Sequence, residues 1–214
     1  MSGYRLAMNT AAAPSPRLSL ALDRIEQVAI VVLWSWLSWR VLGSVNPFAP
    51  LLLASETLIV FFVLFRRPSA SISVRRWDWA AAFAATLLPL LIDPGAREAP
   101  VLIVPGVLLF AFGTCWQLWA KLVLRRSFGI APANRGVKMG GPYRGMRHPM
   151  YFGYFVTEVG ILMLMPSAWN FALYAATWAL QVFRLLREED LLMRDPAYRS
   201  YAADIRWRVI PRVF

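Results

Sequence analysis

The chain has 214 residues, the length of one domain; 58% of them are hydrophobic and only 16% are charged. Soluble domains hold about 45–50% apolar and about 25% charged residues, so the long apolar runs here point to a bilayer rather than water as the solvent. The formal net charge of +11 sits in particular loops between those runs, which argues against a nucleic-acid partner and for basic loops on one face of a membrane.

Met1 to Leu20, rich in Ala, Pro and Ser, reads as a flexible leader, with no small-residue cleavage site to make it a removable signal peptide. A first apolar span is predicted from about Ile25 to Leu42 and a second, after an Asn46-Pro47 turn, from about Phe48 to Phe65. The third, Trp77 to Ile92, is short, and Pro89 is placed to kink it. Asp93-Pro94-Gly95 is a turn, followed by a fourth span from Ala99 to Leu122 and a long polar segment, Arg125 to His148. The fifth span runs from Pro149 to Met165 and the sixth from Phe171 to Leu186, joined by a tight turn that makes them an antiparallel hairpin. In the tail, Asp195-Pro196 marks the start of a short helix with Tyr198, Tyr201 and Ile205 on one face, suited to lying on the membrane surface. The expected fold class is all-α: a polytopic membrane bundle of about six transmembrane helices. It divides into a leader (1–20), the first helices (21–122) and a C-terminal core (123–214).

Charge fixes the expected orientation. The loop 66–76 holds four Arg and no acid. The segment 121–147 holds Lys121, Arg125, Arg126, Arg135, Lys138, Arg144 and Arg147, again with no acid. Six spans put both basic stretches and both termini on one side, the cytoplasmic one. Arg40, near the outer end of the first span, is the exception and is expected to snorkel to the interface. Short loops and compact length suit a bacterial inner-membrane protein. Cys115 is the single cysteine, so no disulfide, cysteine zinc cluster or other metal site is expected.

The long basic loop and the tail share that face and are large enough to build a site for a soluble cofactor. His148, Tyr151, Phe155 and Glu158 fall at helical spacing in the fifth span, and Thr177, Gln181, Arg184 and Glu188 in the sixth. The two polar stripes are expected to face one cavity, since ionisable groups inside a membrane default to functional candidates. Bland roles compete with that reading. Glu56, alone in the second span, and Glu158 each suit a bond to a neighbouring helix. Arg184 and Glu188 suit a helix-end pair, and His148-Pro149 a plain helix start. Gly140 and Gly141 allow close backbone approach to a ligand. No dinucleotide fingerprint, P-loop or zinc-protease motif is present.

Gly141-Pro-Tyr-Arg-Gly-Met-Arg-His-Pro-Met-Tyr-Phe-Gly153, Arg184-x-x-Arg-Glu-Glu189, Tyr198-x-x-Tyr201 and Arg208-x-x-Pro211 together resemble the isoprenylcysteine carboxyl methyltransferases. They also resemble the related membrane phospholipid methyltransferases. The resemblance covers roughly Ser127 to Pro211; the first four spans match only in being hydrophobic. It implies S-adenosyl-L-methionine as cofactor, contacted by Arg135, Gly136, Val137 and Lys138, then Tyr143, then His148, Pro149, Met150 and Tyr151, and finally Glu188. Lys138 stands where an apolar residue is common, so its backbone would serve rather than its charge. Arg184 matches the family's substrate-side arginine. The implied reaction is methyl transfer to a lipophilic acceptor at the cytoplasmic face, with a carboxylate as first choice and a phospholipid amine as second. A small thiol or other lipophilic acceptor stays open. Two other classes compete: an NADPH-dependent membrane sterol reductase, in which the residue after Gly153 is typically Glu where this chain has Tyr154, and a non-catalytic membrane protein binding anionic lipid.

Overall fold

The computed structural model describes residues 16–65, 76–95, 99–124 and 139–214. Among them every regular element is a helix: α1 (Pro16–Leu42), α2 (Ala49–Leu64), α3 (Arg76–Leu87), α4 (Pro100–Leu124), α5 (Pro149–Leu164), α6 (Ala168–Leu192) and α7 (Pro196–Asp204). Two 3-10 turns, Leu88–Leu91 and Gly141–Arg144, precede α4 and α5.

Helices α1 to α6 correspond to the six apolar runs, with boundaries moved for local reasons. α1 starts at Pro16, inside the stretch read as a leader. α3 gives way to its 3-10 turn at Leu88, directly before Pro89, as expected of a residue with no N–H to donate. α6 runs six residues past the expected Leu186, to Leu192, because its last polar side chains find partners in the tail. Ser167 caps α6 by accepting from Asn170 N–H at 3.0 Å, and Asp195 caps α7 by accepting from Ala197 N–H at 2.9 Å.

Among the described residues, α4 is the helix long and apolar enough to cross a bilayer on length and composition alone. Gln27–Leu42, Ala49–Leu64 and Pro149–Leu164 are apolar but shorter. A 16-residue helix reaches about 24 Å at 1.5 Å per residue, against a hydrocarbon core of about 30 Å. Large apolar side chains nevertheless crowd the outside, with Val28, Val32 and Trp39 on α1 and Val101, Val104 and Leu108 on α4 all exposed.

The tightest seam joins α4 and α5 backbone to backbone. Gly106 and Gly113 on α4 meet Gly153 and Gly160 on α5; each pair is two helical turns apart and so lies on one face. A Cβ at Gly113 would stand 2.5 Å from Thr157 N, and one at Gly160 2.5 Å from Phe110 N. Small residues are what allow such an approach. α5 is therefore drawn to α4. The expected α5–α6 hairpin does not close: the two helices meet at few points, and α6 leans instead on α3 and its 3-10 turn.

At one end of the bundle, neutral hydrogen bonds join the connecting turns. Buried Asn170 accepts from Asp93 N–H (2.8 Å) and donates to Asp93 O (3.1 Å) and Met165 O (2.8 Å). Arg40 donates to Leu90 O (2.6 Å) and Ile92 O (2.8 Å), carbonyls left open where the helical run ends. The opposite end gathers the last turn of α4, the start of α5, the last turn of α6, and α7. There Tyr143, Tyr198, Tyr201 and Ala120 form a buried cluster. The predicted face of α7 thus exists, but its tyrosines dock on protein rather than on a membrane surface.

Candidate active site

A cavity of about 770 Å³, counted to its open mouth, lies where α5 and α6 diverge, with α2, α3 and α4 completing its wall. Taken along the helices, its lining runs from Met150, Tyr151 and Glu188 at the end near the tail, through Arg184 and Tyr154, then Glu158 and Gln181, to Ile161 and Tyr174, with Glu56 of α2 and Pro89 also on it. Tyr151 donates to Glu188 Oε2 at 3.0 Å. The Arg184 guanidinium lies 5.9 Å from the centre of the Tyr151 ring, within cation–π range. Trp178 and Gln181 of α6 reach across to Glu158, donating at 2.6 and 2.9 Å. The gap between the helices is thus bridged by polar side chains rather than closed by packing.

Both predicted stripes contribute, Tyr151 and Glu158 from α5 and Gln181, Arg184 and Glu188 from α6, while their other members lie off the cavity. On α5 the cavity face is Tyr151, Tyr154, Glu158 and Ile161. Phe155 turns outward against the Trp178 ring at 5.0 Å. On α6 the face is Tyr174, Gln181, Arg184 and Glu188, while buried Thr177 donates to Leu173 O within its own helix at 2.9 Å. His148 leaves the stripe altogether and faces Glu189, with 3.1 Å between Nε2 and Oε1.

Glu189 is a polar centre that the sequence reading passed over. It takes a contact from Arg147 at 2.9 Å, from Tyr198 at 2.9 Å and from Arg208 at 2.7 Å, besides His148. Burial alone pushes this carboxyl up. The hydrogen bonds from His148 and Arg208, the attraction of His148 and the Tyr198 hydroxyl outweigh burial and hold its pKa at about 2. Tyr201 donates to Tyr143 O at 2.6 Å. Burial, opposed by Arg147 and reinforced by Glu189, pushes the Tyr201 phenol up to about 12, so it stays a donor. The tail is fastened to the loop by Arg147 N–H to Trp207 O (2.9 Å) and His148 N–H to Arg208 O (2.7 Å). Gly141, at φ +56°, lets the 3-10 turn lie on α4; a Cβ there would stand 2.9 Å from Val123 Cγ2.

The structure therefore brings Met150, Tyr151, Arg184 and Glu188 to one cavity, whereas Tyr143, His148 and Pro149 are buried but are not among its lining residues. Arg135, Gly136, Val137 and Lys138 lie outside the described residues. Lys121, counted with the basic loop on sequence, is fully buried inside the bundle. It donates to Gln117 Oε1 at 2.8 Å and lies 5.0 Å from the Tyr154 ring centre. Gln117 in turn donates to Thr157 Oγ1 at 3.2 Å. The i, i+4 spacing of Gly113, Gln117 and Lys121 on the seam face of α4 was the signal for this ladder. For Glu189, the signal was the doubled acid of Arg184-x-x-Arg-Glu-Glu189: adjacent residues lie about 100° apart round a helix, so one acid faces the cavity and the other the tail.

Residues 106–194 match the model of the isoprenylcysteine carboxyl methyltransferase family. This stretch is an isoprenylcysteine carboxyl methyltransferase family domain. No curated protein and no solved structure matches the chain. The family domain begins at the first glycine of the α4 seam and ends just past α6, so it supplies three walls of the cavity and makes the protein a methyltransferase by type. The remaining walls, with Ser55, Glu56 and Ile59 of α2 and Ala85 and Thr86 of α3, come from outside the matched stretch. So do Tyr198 and Arg208, which complete the contacts of Glu189.

Proposed function

We propose that the protein is an integral membrane enzyme that methylates a carboxylate on a lipophilic acceptor, using S-adenosylmethionine from the cytoplasmic side. The observation that carries this is a cavity, walled in large part by the matched stretch, onto which Tyr151, Arg184 and Glu188 of two diverging helices open. Those groups suit the cofactor: a carboxylate already ordered by a tyrosine hydroxyl for its ammonium, and aromatic rings beside it for its sulfonium. When bound, the cofactor supplies an electrophilic methyl group on that sulfonium. Glu188 would hold the amino-acid end of the cofactor; Arg135, Gly136, Val137 and Lys138, which the resemblance assigns to the same ligand, lie outside the described residues. Arg184 clamps the acceptor carboxylate through paired hydrogen bonds. An α-carboxyl with a pKa of about 3.5 is already ionised, so no side chain has to take a proton, and positioning supplies the rate. The apolar outer surfaces of α1 and α4 support membrane insertion, with all six long helices spanning. The basic residues 66–76 and 125–144 support a cytoplasmic mouth.

The test compares ligands on purified protein, because a ligand that binds only the native state raises its thermal midpoint. S-adenosylhomocysteine is expected to raise it and NADPH is not; a shift with NADPH alone would overturn the proposal. Glu188→Ala is expected to abolish the S-adenosylhomocysteine shift. Arg184→Ala is expected to lower methyl transfer while leaving that shift in place.

A further inference from the structure

The cavity does not become apolar with depth. Beyond Arg184 its wall carries Ser55 and Glu56 from α2, Thr86 from α3, and Glu158 and Gln181, before ending on Ile161 and Tyr174. A purely hydrocarbon tail pushed into that space would leave the Glu56 carboxyl facing apolar atoms without a hydrogen bond, which is costly. The two acids differ. Glu158 already accepts from Trp178 and Gln181. Glu56 faces the cavity and accepts no hydrogen bond from the described residues; Lys121 attracts it from α4 without forming a contact ion pair.

We propose that the closed half of the cavity takes the far end of the acceptor, and that this end carries a basic amine held by Glu56 with Glu158 beside it. The assignment of near and far ends rests on the cofactor reading given above. Tyr151, level with Arg184, and Glu158 are seven residues apart on α5, which is about 10 Å along a helix. The acceptor is then a compact amphiphile, with its carboxylate and amine separated by roughly that distance, rather than a long prenyl chain. Neither Glu56 nor Ser55 belongs to the matched family stretch, so this preference would be particular to this chain.

The experiment uses the full-length protein in lipid nanodiscs and reads the thermal midpoint. The probes are 8-aminooctanoate and octanoate, each titrated with S-adenosylhomocysteine present and absent. The amino acid is expected to bind about tenfold or more tightly than the plain acid, the size of a charge-assisted hydrogen bond. In Glu56→Gln that advantage should vanish while the S-adenosylhomocysteine shift persists, which shows the variant folded. Equal or reversed affinities in the wild type, no shift with either probe, or an advantage that survives in Glu56→Gln would each overturn the proposal. The wild-type ranking stands by itself if the variant does not fold. A missing S-adenosylhomocysteine shift would instead overturn the cofactor reading and leave the ranking of the two probes readable.

Discussion

Helix α6 is pinned at each end by one buried polar side chain, and the two pins work differently. Asn170, at the first turn, is neutral and serves three backbone groups of the connecting turns. Glu189, in the last turn, is charged and gathers Arg147, His148, Tyr198 and Arg208 from the loop, the tail and α7. The neutral pin fixes backbone to backbone and does not respond to pH. The charged pin holds together segments distant in sequence, next to the cavity mouth, and its strength depends on its own ionisation.

Breaking the charged pin should have the largest effect. Glu189→Gln leaves two arginines without their buried partner and is expected to cost about 3–5 kcal/mol, read as a fall in thermal midpoint. Amide exchange at Arg147 and His148, whose N–H groups bond the tail, should accelerate while that at Asp93 stays slow. Acid should reproduce much of this in the wild type. A carboxyl whose folded pKa lies below its ordinary value of 4.5 stabilises fully above that value, and the contribution fades as pH falls from about 4.5 to about 2. The stability gap between wild type and Glu189→Gln should therefore narrow across that window; a constant gap would show that the carboxylate charge is not what holds the tail. Asn170→Ala comes next, at about 1–3 kcal/mol for the unpaired Asp93 N–H and Met165 O. Here the exchange pattern should reverse, fast at Asp93 and slow at Arg147. The smallest effect is expected from Tyr201→Phe, about 1 kcal/mol for one lost donor to Tyr143 O, with the cofactor-induced thermal shift unchanged.

How far the sequence could be read follows from what kind of signal each feature leaves. Apolar runs bounded by Asn46-Pro47, by Asp93-Pro94-Gly95 and by the tight turn between the fifth and sixth spans located α1 to α6 because such breaks are local chemistry. Pro89 announced the 3-10 turn for the same reason. Of the candidate site, Tyr151, Glu158, Gln181, Arg184 and Glu188 were found at helical spacing and do line the cavity. Phe155, Thr177 and His148 were placed on that face too, and are not on it. A stripe read from spacing is uncertain by about a residue, or some 100° of rotation, and only a neighbouring helix fixes it. Lys121 was misread with the loop because a cation near the end of an apolar run reads the same whether it reaches water or a buried glutamine.

The amino-acid sequence alone determined the number and order of the apolar helices, the clustering of positive charge and the family resemblance of the C-terminal half. Each of these depends on residues near one another in the chain. Only the tertiary structure decided that α5 closes on α4 and parts from α6, that Glu56 shares a space with Glu158, and that Glu189 holds the tail. Those outcomes depend on how closely glycine faces let two backbones approach and on which charges meet once they have, and neither quantity is fixed by any single stretch of sequence.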